Sequence, residues 1–115
     1  MASKMTLSDL HKRLKATGIP VAYSHFKVSE SEENQAPTPP YILYLETATT
    51  SFYADNKAYK RIKSVDIELY TAKKDLEKEA LIEKLLDDAN LSYQPDETYI
   101  EAQQVFKRTY EVWVE

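Results

Sequence analysis

Between Val65 and Tyr70 the chain alternates without exception: Val65, Ile67 and Leu69 are apolar, while Asp66, Glu68 and Tyr70 carry polar groups. Successive side chains of a strand point to opposite faces, so this hexapeptide demands a sheet with one face in a core and the other in water. A half-wet sheet needs a second layer on its apolar side, and amphipathic segments lie on both flanks of the hexapeptide to supply one. At 115 residues, residues 1–115 make a single domain. With no cysteine, it must be held together by packing rather than by disulfides.

Thr6 is placed to cap a first helix, with Asp9 reaching back as a capping-box variant and Met5 and Leu10 at the two staple positions. Leu7, Leu10 and Leu14 form its apolar stripe, Gly18 supplies a left-handed stop and Pro20 follows, so the helix is expected from about Thr6 to Thr17. Val21 and Tyr23, continuing to Phe26 and Val28, predict a strand. Ser29 to Pro40, SESEENQAPTPP, has no apolar periodicity and reads as a mobile acidic, proline-rich loop, as residues 1–5 read as a flexible N-terminus. Met5 is a plausible start of its own, which would make Met1–Lys4 an extension.

Tyr41–Leu45 reads as a central strand led in by Pro39 and Pro40. Thr47 to Tyr59 is polar and small, and is expected as a long connection, with at most a strand extension at Phe52 and Tyr53. After the alternating hexapeptide, Asp75 offers an N-cap to a second helix. Its expected buried face is Leu76, Ala80, Leu81, Ile82, Leu85, Leu86 and Ala89, and its expected acidic outer face Asp75, Glu77, Glu79, Glu83, Asp87 and Asp88. Asn90 fits the helix stop, Leu91–Tyr93 a short strand and Pro95-Asp96 a turn. A closing strand runs from Val105 to Val114, with Arg108 out of pattern on its apolar face. The class is therefore α+β: a mainly antiparallel sheet of four to five strands with two helices on one face. The other face is polar, carrying Asp66, Glu68 and Trp113, and a tryptophan there asks for a partner.

Several chemistries fail on residue inventory. Gly18 is the only glycine, so glycine-rich phosphate loops, dinucleotide fingerprints and nucleophile elbows are excluded. His11 and His25 have no ligand spacing around them, so no metal and no cofactor is expected. Ser24 and His25 are adjacent on a strand and point apart, which removes a nucleophile and base pair. Asp66 and Glu68, with Glu46 nearby, share a face in the manner of a metal-dependent nuclease, but a solvated sheet face accounts for them more simply. No catalytic set emerges, and the chain is not expected to be an enzyme.

No apolar run approaches the ~20 residues of a spanning helix, and no apolar signal core opens the chain, so no membrane partner is expected. Net charge is −4, against nonspecific attraction to phosphate. Locally, Lys57, Lys60, Arg61 and Lys63, with Tyr59 among them, form a basic cluster that would suit a small nucleic-acid-binding module. Acidic and basic patches on one small domain also suit head-to-tail self-association.

The stretches TLSDLHKRLKATGIPVAYSHF, PPYILYLETATTSFYADNKAY, VDIELYTAKKDLEKEALIEKLLD and TYIEAQQVFKRTYEV cover most of the chain. They resemble small tail proteins from the tail-morphogenesis modules of phages and prophages of Gram-positive bacteria. The proline-led strand, Phe-Tyr-Ala-Asp-Asn at 52–56, and Ile-Glu-Leu-Tyr-Thr with Lys-Asp within 67–75 carry most of the likeness. The resemblance implies a tail-terminator or tail-completion subunit, forming a ring, expected to be a hexamer on assembly, that caps the tail tube and contributes to head-tail joining. It implies as partners other copies of the chain, the tail tube protein and the head-tail connector protein, and as location the virion tail, assembled in the host cytoplasm. Subunit-interface or lumen residues would be Tyr53, Asp55, Asn56, Lys57, Lys60, Arg61 and Trp113, with Lys57, Lys60 and Arg61 facing passing DNA without reading its sequence. A neighbouring connector, a minor tail component or the nucleic-acid module are the alternatives.

Overall fold

A computed structural model of the chain describes residues 5–24, 38–54 and 57–115, and for 52–54 and 57–60 the backbone alone. The elements follow the order α1 (Leu7–Lys15), β1 (Val21–Tyr23), β2 (Tyr41–Ala54), β3 (Lys57–Thr71), α2 (Leu76–Asp88), β4 (Gln94–Ile100) and β5 (Val105–Val114). The strands form one sheet in the order β1-β2-β3-β5-β4. Every neighbouring pair is antiparallel except β1 and β2, which run parallel. The fold is thus α+β with a mostly antiparallel, mixed sheet.

The local signals at α1 act as expected. The Asp9 amide donates to Thr6 Oγ1 at 3.2 Å and the Thr6 amide donates to the Asp9 carboxylate at 3.3 Å, closing a capping box. The Thr6 amide first, and the Thr6 hydroxyl second, hold the Asp9 carboxyl below its ordinary range. Gly18 takes φ +82°, the left-handed conformation that stops the helix without steric cost. At α2 the Lys78 amide donates to Asp75 at 3.1 Å, and Asn90 adopts φ 57° just beyond the helix.

The core lies between the helices and one face of the sheet. Leu10 and Leu14 of α1 and Ile82 and Leu86 of α2 meet Ile42 and Tyr44 of β2, Val65, Ile67 and Leu69 of β3, and Tyr110, Val112 and Val114 of β5. Burial of these large apolar side chains is the main stabilising contribution, about 1.5–3 kcal/mol for each Leu, Ile or Val fully removed from water.

Four expectations are corrected. Thr47–Tyr59 is no open connection: β2 continues to Ala54 and β3 begins at Lys57, so the two make a long hairpin held by cross-strand backbone pairing that side-chain pattern does not reveal. Pro95-Asp96 is not a turn, and Leu91–Tyr93 is not a strand. Pro95 and Asp96 lie inside β4, an edge strand, where a proline is tolerated, and the reversal falls at Glu101–Gln104.

The buried face of α2 is rotated from the expected one. Ile82, Leu86 and Ala89 are buried, but Leu76 is 69% and Leu81 43% exposed, and Ala80 faces solvent, while Glu79 is only 7% exposed. At about 100° per residue, Leu76 and Leu81 fall on the flanks of the stripe through 79, 82, 86 and 89. Finally, β1 ends at Tyr23. Phe26, Val28, His25, the loop residues 29–37 and Met1–Lys4 lie outside the described residues.

Candidate assembly surface

Two features of the sheet remain uncovered by the helices: the distal half of the β2–β3 hairpin and the open face of the sheet. β1 pairs with β2 only at Ile42–Tyr44, and β5 pairs with β3 only from Lys63 to Thr71. Beyond both limits, among the described residues, β2 and β3 pair only with each other, through Thr50↔Ile62, Ser51↔Arg61, Phe52↔Lys60, Tyr53↔Ala58 and Ala54↔Lys57. Six residues of β3 past the end of β5, at about 3.3 Å each, give a two-stranded arm roughly 20 Å long. Register shifts sit at Thr47 and between Phe52 and Tyr53, where β3 contributes the extra residue Tyr59. Bulges of this kind bend and twist a ribbon. At the first, Thr47 Oγ1 donates to the Ser64 carbonyl at 3.2 Å, and Thr49 Oγ1 donates to the Glu46 carboxylate.

The open face is more apolar than the alternating hexapeptide implies. The Tyr41 and Tyr70 rings stack across β2 and β3 with centroids 4.8 Å apart, and Leu43 and Leu45 continue the row opposite Glu68 and Asp66. The Tyr70 hydroxyl donates to Glu68 at 2.9 Å. Burial, followed by this bond to a carboxylate, pushes the Tyr70 phenol well above its ordinary range, and burial raises Tyr41 as well. Asp66 stands opposite Glu111, a like-charge pair that disfavours the sheet unless a cation approaches. Trp113, opposite Ser64, is 46% exposed on this same face.

Only part of the expected interface set can be located side chain by side chain. Arg61 is exposed on the arm. Alternation along β3 puts Arg61 and Lys63 on the side of Val65, which carries the helices, and puts Ser64, and with it its partner Trp113, on the open side. Arg61 and Trp113 therefore belong to opposite faces rather than to one patch. Tyr53, Lys57 and Lys60 lie on the arm's backbone, but their side chains, like Asp55 and Asn56 entirely, are outside the described residues. Sequence reasoning missed the Tyr41–Tyr70 stack, Leu43 and Leu45 as surface elements. The available signal was that Tyr41–Leu45 is apolar at every position, so one of its faces had to lie away from the core.

Among the described residues a dense group of charges around Arg108 is closed on itself. Arg108 donates through Nε to the Tyr110 hydroxyl at 2.9 Å, and that hydroxyl donates to Glu83 at 2.8 Å. Arg108 also lies 3.4 Å from Glu79, 3.5 Å from Glu83 and 3.8 Å from Glu97. Lys74 bridges Glu79 at 2.9 Å and Glu97 at 2.6 Å. Burial and the Glu83 bond raise the Tyr110 phenol, and Glu97 and Glu79 raise Lys74.

Glu79 and Glu83 were expected on the outer face of α2; they turn inward because Arg108 occupies a core-side position on β5 and a half-buried cation needs anions. This network fastens α2 and β4 to β5, and among the described residues no buried side-chain nitrogen or oxygen lacks a partner. His11 accepts or donates a 2.7 Å bond with the Tyr44 hydroxyl. No group of three or more His, Asp or Glu that could hold a metal occurs among the described residues, and no helix there is long and apolar enough to cross a membrane. No protein-family model matches the chain, and no curated protein matches it in sequence.

Proposed function

We propose that the chain is a structural subunit of a phage tail that assembles into a ring, terminates or completes the tail tube and contributes to head-tail joining. The observation that carries this reading is the pairing of a projecting two-stranded arm with an uncovered sheet face bearing Tyr41, Leu43, Leu45, Tyr70 and Trp113. Both are surfaces that a subunit of an assembly needs and that a self-contained domain does not. The resemblance of the four sequence stretches to small tail proteins points the same way. Ring closure requires a heterologous contact, one patch against a different patch on the next copy. The hexameric number, the tube and connector partners and the virion location belong to this proposal.

A second reading, nonspecific contact with nucleic acid, is favoured by the exposure of Arg61 near Lys63 on the arm. One experiment separates the two. A phage carrying this gene with an amber codon at Tyr41 is expected to yield overlong tails without heads by negative-stain microscopy. Head-bearing tails of normal length would overturn the tail reading, and a salt-steep, sequence-insensitive shift of DNA by the purified protein would then favour the second.

A further inference from the structure

We propose that the outer edge of β2 beyond its bulge, Thr47–Ser51, pairs as an added strand with the outer edge of β4, Asp96–Ile100, on a second copy of the chain. Among the described residues no third strand lies on either outer side of this ribbon, and a two-stranded ribbon is marginal in water and leaves a row of backbone N–H and C=O groups on each such side. Edge strands are ordinarily guarded by charge or proline. Thr47 to Ala54, TATTSFYA, holds neither, and its threonines and aromatics favour strands.

Charge selects the acceptor. From Thr47 to Lys63 the chain carries four cations and one carboxylate, net +3, so the remainder of a chain of net −4 stands at −7. Two arms laid edge to edge would bring like charge together, whereas an arm laid on the body of another copy brings opposite charges together. Among the described residues the other long edge of the sheet is β4, exposed except at Ile100. It carries Asp96, which repels a copy of itself and accepts a cationic ribbon, beside Glu97, which Lys74 and Arg108 of its own chain already neutralise. Pro95 lacks an N–H, which confines pairing to the five residues after it, the same length as Thr47–Ser51. Arm and β4 lie at opposite sides of the sheet order, so the contact is heterologous and propagates from copy to copy. The inference rests on the ring reading for its closure, not for the contact itself.

The absence of cysteine makes the test clean. Two variants, Thr49→Cys and Thr98→Cys, one with a longer affinity tag, are oxidised separately and as a mixture. The mixture is expected to give a disulfide of mixed mass that neither variant gives alone. Asp96→Lys in the second variant is expected to abolish it, and combining that change with Arg61→Glu and Lys63→Glu in the first to restore it. Glu97 is left intact because Lys74 and Arg108 of its own chain hold it. A disulfide in Thr49→Cys alone would mean arm-to-arm pairing and overturn the proposal. So would the absence of any mixed disulfide; light scattering that nonetheless detects rings would then leave the ring reading standing on another interface. A mixed disulfide, with normal tails in the amber mutant, would uphold the contact and remove the tail reading.

Discussion

Arg108 and Tyr110 show how a few side chains decide the orientation of a whole helix. A guanidinium on the core side of β5 has to be met by anions, and Glu79 and Glu83, four residues apart on α2, come inward to meet it, Glu79 directly and Glu83 both directly and through Tyr110. The network also gives the protein a defined alkaline weakness. Burial and the Glu83 bond raise Tyr110 in the folded state, so its neutral form is favoured there, while in the unfolded chain it ionises near 10.0. The stability this difference contributes is fully present below pH 10 and is lost as pH rises through the folded value. Tyr110→Phe is expected to cost about 1–3 kcal/mol at pH 8, since Arg108 and Glu83 lose a buried partner. The gap to the unmutated protein should narrow at pH 11, because the variant no longer carries this tyrosine's titration. Urea midpoints at the two pH values check it; a gap that stays constant or widens would show that Tyr110 has no part in the alkaline loss.

At the scale of elements, α2 separates two leucine roles that look alike in sequence. Leu86 is fully buried against the sheet, and Leu81, five residues earlier, is 43% exposed. Leu86→Ala is expected to destabilise by about 2–5 kcal/mol, and Leu81→Ala by well under half of that, read as the shift in chemical unfolding midpoint. Equal losses would mean that α2 packs through the face expected from its leucine count.

The same contrast explains what could be read beforehand. Thr6, Asp9, Gly18, Asp75 and Asn90 marked helix ends through bonds and dihedrals that need only near neighbours, and Val65–Tyr70 marked a strand because one face is buried and the other wet. β4 left no such trace, since Gln94–Tyr99 are all exposed and an edge strand without a buried face has no period to detect. The distal arm was hidden for a related reason, its strands being fixed by pairing with each other rather than by a core. The inward turn of Glu79 and Glu83 depended on Arg108, more than twenty residues away. The exposed placement of Trp113 was legible because a tryptophan on a wet face is conspicuous, while its separation from Arg61 required the register of β3.

Along the sequence the segment Thr47–Lys63 carries net +3 and the rest of the chain net −7. That division runs through the middle of single strands. β2 is one continuous element of 14 residues, yet among the described residues Ile42–Tyr44 have neighbours on both sides and the stretch beyond has β3 alone. Peptide hydrogens along it should therefore report two free energies of opening. Ile42 and Tyr44 should exchange with solvent deuterium only when the domain unfolds globally, and Thr49 to Ser51 through local fraying that leaves the core intact. The bulge at Thr47 would be the boundary between them, so one strand belongs to two cooperative units, the second of which can be rigidified or released without any cost to the first.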